Sequence, residues 1–156
     1  MSLYKISFSQ KLDADNEQIS NETILKKFHA VLHKEKRADR YELGSHSLKI
    51  KNDLIRFKFG VDFWFGVPAA AVNIEKVGIY DREITYTINI FPIALLFLIE
   101  LIFVIYFILT TPVVINAYIF PLFIFVLATM VPWTLVLIRH KTTFNKIIKS
   151  IIQTKE

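Results

Sequence analysis

Between residues 88 and 138 the chain carries a single charged side chain, Glu100. That desert contains two apolar runs. Residues 91–109, FPIALLFLIELIFVIYFIL, number 19, and residues 118–138, YIFPLFIFVLATMVPWTLVLI, number 21. A helix crossing about 30 Å of hydrocarbon at about 1.5 Å per residue needs around 20 residues. Both runs meet that length. The uncharged link between them, TTPVVINA, contains Pro112, which ends the first helix and turns the second back. The expectation is a two-helix transmembrane hairpin over residues 89–139. The competing reading is a pair of buried core helices, but a 156-residue chain leaves little protein to cover both.

Charge supplies an orientation. Of the 19 basic residues, five follow the second run: Arg139, Lys141, Lys146, Lys149 and Lys155. Basic residues flanking a span stay on the cytoplasmic side, which places both termini there and suggests a bacterial cytoplasmic membrane. The net charge of +5 then belongs chiefly to this tail and argues against nucleic acid as a partner. Pro92 suits a helix start, whereas Pro121 and Pro132 lie inside the second run and suggest a bend.

The residues before the hairpin, 1–88, read as a small α+β domain. Tyr4, Ile6 and Phe8 alternate with polar residues, as in a strand with one apolar face. Ser20, Asn21 and Glu22 carry helix-start chemistry. Ile24, Leu25, Phe28, Val31 and Leu32 follow with helical spacing. Residues 47–51 and 54–59 suggest a hairpin turning at Asn52-Asp53, and 72–80 with 83–88 a second around Asp81-Arg82. The tail, 142–156, is an amphipathic basic helix, with Phe144, Ile147, Ile148, Ile151 and Ile152 on one side. Its apolar stripe fits an anionic lipid surface, a partner, or the N-terminal domain itself. The expected fold class is therefore α+β: a cytoplasmic β-rich domain with one helix, a transmembrane hairpin and an amphipathic tail.

The chemistry is sparse. No cysteine and only four glycines exclude disulfides and thiolate metal sites, and leave no phosphate-cradling loop or nucleophile elbow. His29 and His33 stand four apart, a spacing that can hold zinc, but no third ligand accompanies them. His46 and His140 add no constellation. No catalytic, cofactor-binding or metal-binding residue is assigned, and no enzyme is expected.

Contact residues are clearer. Glu100, tenth in its run, would lie mid-membrane, where a carboxyl needs a proton, a partner or a polar cavity. Thr129 stands at the matching depth as its polar contact. Phe63, Trp64 and Phe65 form an aromatic loop that either meets the bilayer interface or a partner, or folds over the domain's own core. Arg139, Lys141, Lys146 and Lys149 would meet lipid or a partner.

The function expected from these features is a non-catalytic integral membrane accessory subunit. It would pack against a larger membrane protein complex, with the lipid bilayer as its surroundings. Alternatives are a homo-oligomeric pore conducting ions past Glu100 and a lipid-sensing module at the membrane surface.

Overall fold

The alternation at the N-terminus is resolved as strand β1 (Lys5–Leu12) in a computed structural model that describes residues 4–12, 19–35, 38–52, 63–77, 81–110 and 115–153. Within the helices, nothing is described for the side chains of residues 34–35, 107–109, 115–126, 128 and 129. Strands β2 (Arg40–Leu43), β3 (Ser47–Lys51), β4 (Ala69–Lys76) and β5 (Arg82–Asn89) form an antiparallel meander, and β1 pairs along the outer side of β5. The sheet order is β1-β5-β4-β3-β2.

Register sorts the side chains by face. Ile84, Tyr86 and Ile88 of β5 align with Ala70, Val72 and Ile74 of β4, and all six are buried. Leu48 and Ile50 extend the row across β3. The alternate positions hold Ser7, Thr85, Thr87 and Asn73, and Ser7 hydrogen-bonds Thr87 across the strands at 2.9 Å. One apolar and one polar face is the pattern of an antiparallel sheet covered on one side.

The cover has two parts. Helix α1 (Asn21–His29) begins at Ser20, whose hydroxyl accepts from the Thr23 N–H at 3.1 Å as an N-cap. It buries Ile24, Leu25 and Phe28, and a π-helical turn (Ala30–Glu35) continues it. The buried guanidinium of Arg82 donates to the Ile19 carbonyl at 2.7 Å and to Asn21 Oδ1 at 2.8 Å, fastening the start of α1 to β5. The second part comes from the far end of the chain. Helix α3 (Ile115–Gln153) buries Val136, His140, Phe144, Ile147, Ile148 and Ile151 in the core. Lys27 of α1 donates to the Ser150 carbonyl at 2.9 Å and ties the two covering helices together.

Helix α2 (Phe91–Thr110) follows β5 with only Ile90 between. Three contacts fix its exit. Asn89 Oδ1 accepts from the Phe91 N–H at 2.9 Å, Ile90 N–H donates to the Tyr4 carbonyl at 2.8 Å, and the Tyr4 and Phe91 rings meet edge-on at 5.0 Å.

The sequence expectation of a transmembrane hairpin is overturned: among the described residues no helix is long and apolar enough to cross a membrane. The first apolar run forms α2, which is joined to the sheet through Ile90 alone and packs Phe97 near Trp133 of α3. The second apolar run is not an independent span either. It is the front of the 39-residue α3, which continues through Arg139 and Lys141 and docks on the sheet. The membrane localisation and its orientation, with both termini cytoplasmic, fall with the hairpin. The integral membrane accessory subunit and the pore past Glu100 lose the spans that each requires. The lipid-sensing module loses its surface too, because the tail's apolar stripe is largely buried in the core.

Two smaller corrections concern the strands. Strand β3 pairs with β2 and β4, and the expected partner, residues 54–59, lies outside the described residues. The β2 strand had no strong sequence signal. All four of its residues are exposed, so no buried face left a period-2 mark.

Gly66 makes the sharpest demand on a single position. Its φ is +68°, and a Cβ there would lie 2.5 Å from Ile93 Cγ1 and 2.7 Å from Cδ1. Gly66→Ala should destabilise the fold by about 2–4 kcal/mol, through positive-φ strain together with overpacking. Ile93→Ala removes both opposing atoms, so the double variant should lose less than the sum of the singles. Urea titration of the four proteins measures this; strict additivity would separate Gly66 from Ile93.

Candidate interaction site

Position 140 is apolar in pattern and polar in kind. Val136, His140, Phe144, Ile147 and Ile151 follow one another at helical spacing on the face of α3 that meets the sheet. His140 is fully enclosed at 0% exposure. A buried imidazole needs partners for both nitrogens. Nε2 lies 2.9 Å from the Phe63 carbonyl, which can only accept, so Nε2 carries the proton. Nδ1 lies 2.6 Å from the Tyr86 hydroxyl and, in the neutral ring, accepts from it.

Aromatic rings seal this pair. The Phe63 ring packs on the imidazole at 4.0 Å and Trp64 approaches its edge at 5.4 Å. Tyr86 stacks on Phe144 with an interplanar angle of 10° at 6.1 Å, and Phe144 meets Phe28 at 6.0 Å. Burial pushes the His140 pKa down to about 4, partly opposed by the hydrogen bond to Phe63. Burial also pushes the Tyr86 hydroxyl well above its ordinary value. The pair is enclosed, with Tyr86 and His140 at 1% and 0% exposure. It acts as a clamp that joins the loop at Phe63, strand β5 and helix α3.

The clamp holds an apolar arm formed by α2 and the front of α3. Ten large apolar side chains of α2 are exposed between Phe91 and Tyr106, with Phe103 at 67% and Tyr106 at 64%. Leu127, Met130, Val131, Leu135 and Ile138 of α3 are exposed as well. At roughly 100 Å² from each half-exposed side chain, α2 alone offers on the order of 1,000 Å² of apolar surface. A monomeric soluble protein rarely shows a contiguous apolar patch above about 300–600 Å².

Two buried polar groups interrupt the arm among the described residues. Glu100 is 8% exposed and has no hydrogen bond or ion pair among the described residues. The indole of Trp133 packs near Phe97 at 6.5 Å, and its Nε1 is buried with no hydrogen-bond partner among the described residues.

The residues singled out in the sequence are distributed as follows. Glu100 lies on the arm, and the side chain of Thr129 lies outside the described residues. Phe63 and Trp64 are buried and Phe65 is half-buried, so the aromatic loop folds over the protein's own core. Arg139, Lys141, Lys146 and Lys149 are exposed on α3, away from its docked stripe. His29 and His33 stack at 5.1 Å, and each packs on Tyr41, at 4.0 and 4.9 Å respectively. His33 Nδ1 donates to the Ala38 carbonyl at 2.9 Å. Among the described residues no group of three or more His, Cys, Asp or Glu could hold a metal ion.

His140, Tyr86 and Trp133 were missed. The available signal for His140 was its place in the apolar stripe four residues before Phe144. No family model, curated protein or solved structure matches this chain.

The clamp carries a pH signature. His140 titrates near 6.5 when unfolded and near 4 when folded. The folded state therefore resists protonation: the stability from the neutral clamp is complete above about pH 6.5 and is lost as pH falls toward 4. The loss should be on the order of 3 kcal/mol. Chemical denaturation from pH 7.5 to 4 would measure it, and His140→Phe should flatten that slope. Tyr86→Phe should cost about 1–3 kcal/mol at pH 7.5 by leaving Nδ1 without its donor. An unchanged pH slope in His140→Phe would remove the histidine from this account.

Proposed function

We propose that this protein is a non-catalytic docking module whose α2–α3 arm is covered by an apolar surface of a protein partner. The observation that carries this reading is the exposed run on α2, including Phe103 and Tyr106 at 67% and 64%. Its area, on the order of 1,000 Å², matches one side of a standard protein–protein interface of about 800 Å² per partner. The sheet, α1 and the docked half of α3 serve as the holder that presents this surface.

Attachment of the arm supports the reading. Asn89, Tyr4 and the Gly66–Ile93 contact secure α2, while His140 secures α3. A surface held in place before association loses less freedom on binding. The non-catalytic part rests on the enclosure of Tyr86 and His140, at 1% and 0% exposure, which leaves them no route to a substrate.

A photo-crosslinking amino acid placed at Ile102 or Phe103, with Thr87 on the polar sheet face as control, tests this in the native host. The expected result is a discrete protein adduct from both arm positions and none from Thr87. Adducts with lipid alone, or equal labelling from all three positions, would overturn the reading.

A further inference from the structure

Glu100 is the only charge between residues 88 and 138, and its side chain is 8% exposed within an apolar surface. Among the described residues it makes no ion pair and no hydrogen bond. A carboxylate enclosed further by a partner, with nothing to neutralise it, would cost several kcal/mol. The partner must therefore bring the complement, or the docked state is opposed by a buried carboxylate.

This requirement discriminates between partners. A second copy of this chain, packing arm against arm, brings no basic side chain from residues 88–138 and adds a second carboxylate. Like charges in a shared apolar interface repel. A different chain, apolar but for one cation, meets the arm without that conflict. The indole of Trp133 stands on the facing helix, with its ring near Phe97, one turn before Glu100 on α2. An alkyl stem can lie along such apolar walls while its charged head reaches the carboxylate.

We infer that Glu100 is a partner-selecting residue, receiving one lysine or arginine side chain from an otherwise apolar segment of a different protein chain. The inference rests on the docking function proposed above and specifies its partner. Apolar area supplies the contact, and the buried pair sets which apolar segment is accepted. Charge pairs of this kind act chiefly on specificity and dissociation rate.

The probes are two helical peptides with uncharged polar ends, one of leucine and alanine with a single central lysine, the other with leucine in its place. Their binding to the full-length wild-type protein is read by fluorescence anisotropy. The lysine peptide should bind at least about tenfold tighter. In Glu100→Gln the preference should vanish while the leucine peptide binds as it does to wild type. Glu100→Asp, which keeps the charge, should retain part of the preference. Equal wild-type affinities for the two peptides would overturn the role of Glu100 and leave the docking arm standing. Binding of neither peptide would overturn the docking reading, and this inference with it. The wild-type comparison decides even if a Glu100 variant fails to fold.

Discussion

The hydrogen bonds from His140 to the Phe63 carbonyl and from Tyr86 to His140 join three segments widely separated in the chain. The rest of the architecture depends on that junction. Strand β5 contributes Tyr86, the loop before β4 contributes Phe63, and α3 contributes the imidazole. A ring with one donor and one acceptor satisfies both neighbours only in one tautomer and one orientation. The stack of Phe28, Tyr86 and Phe144 adds apolar contact around it. Burial keeps the imidazole neutral, so the junction is strongest above about pH 6.5, where the unfolded ring is neutral as well.

Helix α3 consequently has two different lives. From Val136 onward its inward stripe belongs to the core, and its basic residues face outward. Before that point, Met130, Val131 and Leu135 lie exposed beside α2. One continuous helix thus links a stably packed body to an apolar arm. Displacement of the docked half would have to break the His140 junction and expose Phe144, Ile147 and Ile151 together. The same holder fixes α2 through its short connection to β5, so the two helices of the arm are anchored independently.

Much of the body was legible because local rules and tertiary structure agree there. The alternation around Ile6 and Phe8 marks β1, and Ser20 caps α1 as its side-chain chemistry suggests. The stripe at Phe144, Ile147, Ile148 and Ile151 foretold a helix with one buried side, though not what would bury it. Glu100 stood out as the lone charge among apolar residues. His140 did not, because a histidine beside Arg139 and Lys141 reads as part of a solvated basic cluster. Only the packing reveals that it points the other way. Strand β2 was hidden because its four residues are all exposed, and pairing with β3 rather than burial makes it a strand.

Sequence alone determined the apolar character of residues 88–138, the isolation of Glu100, and the periodicities that make strands and helices. Those properties are local: they follow from side-chain chemistry and from repeat lengths of two or about 3.6 residues. The tertiary structure decided what the apolar residues face. Hydropathy has no direction, so a run of leucine and isoleucine can enter a core, cover a sheet or stand at a surface. Here the later turns of α3 entered the core, because β5 and the Phe63 loop presented the hydroxyl and carbonyl that His140 requires. No reading of neighbouring residues could locate that meeting, since its three participants approach one another only when the chain has folded.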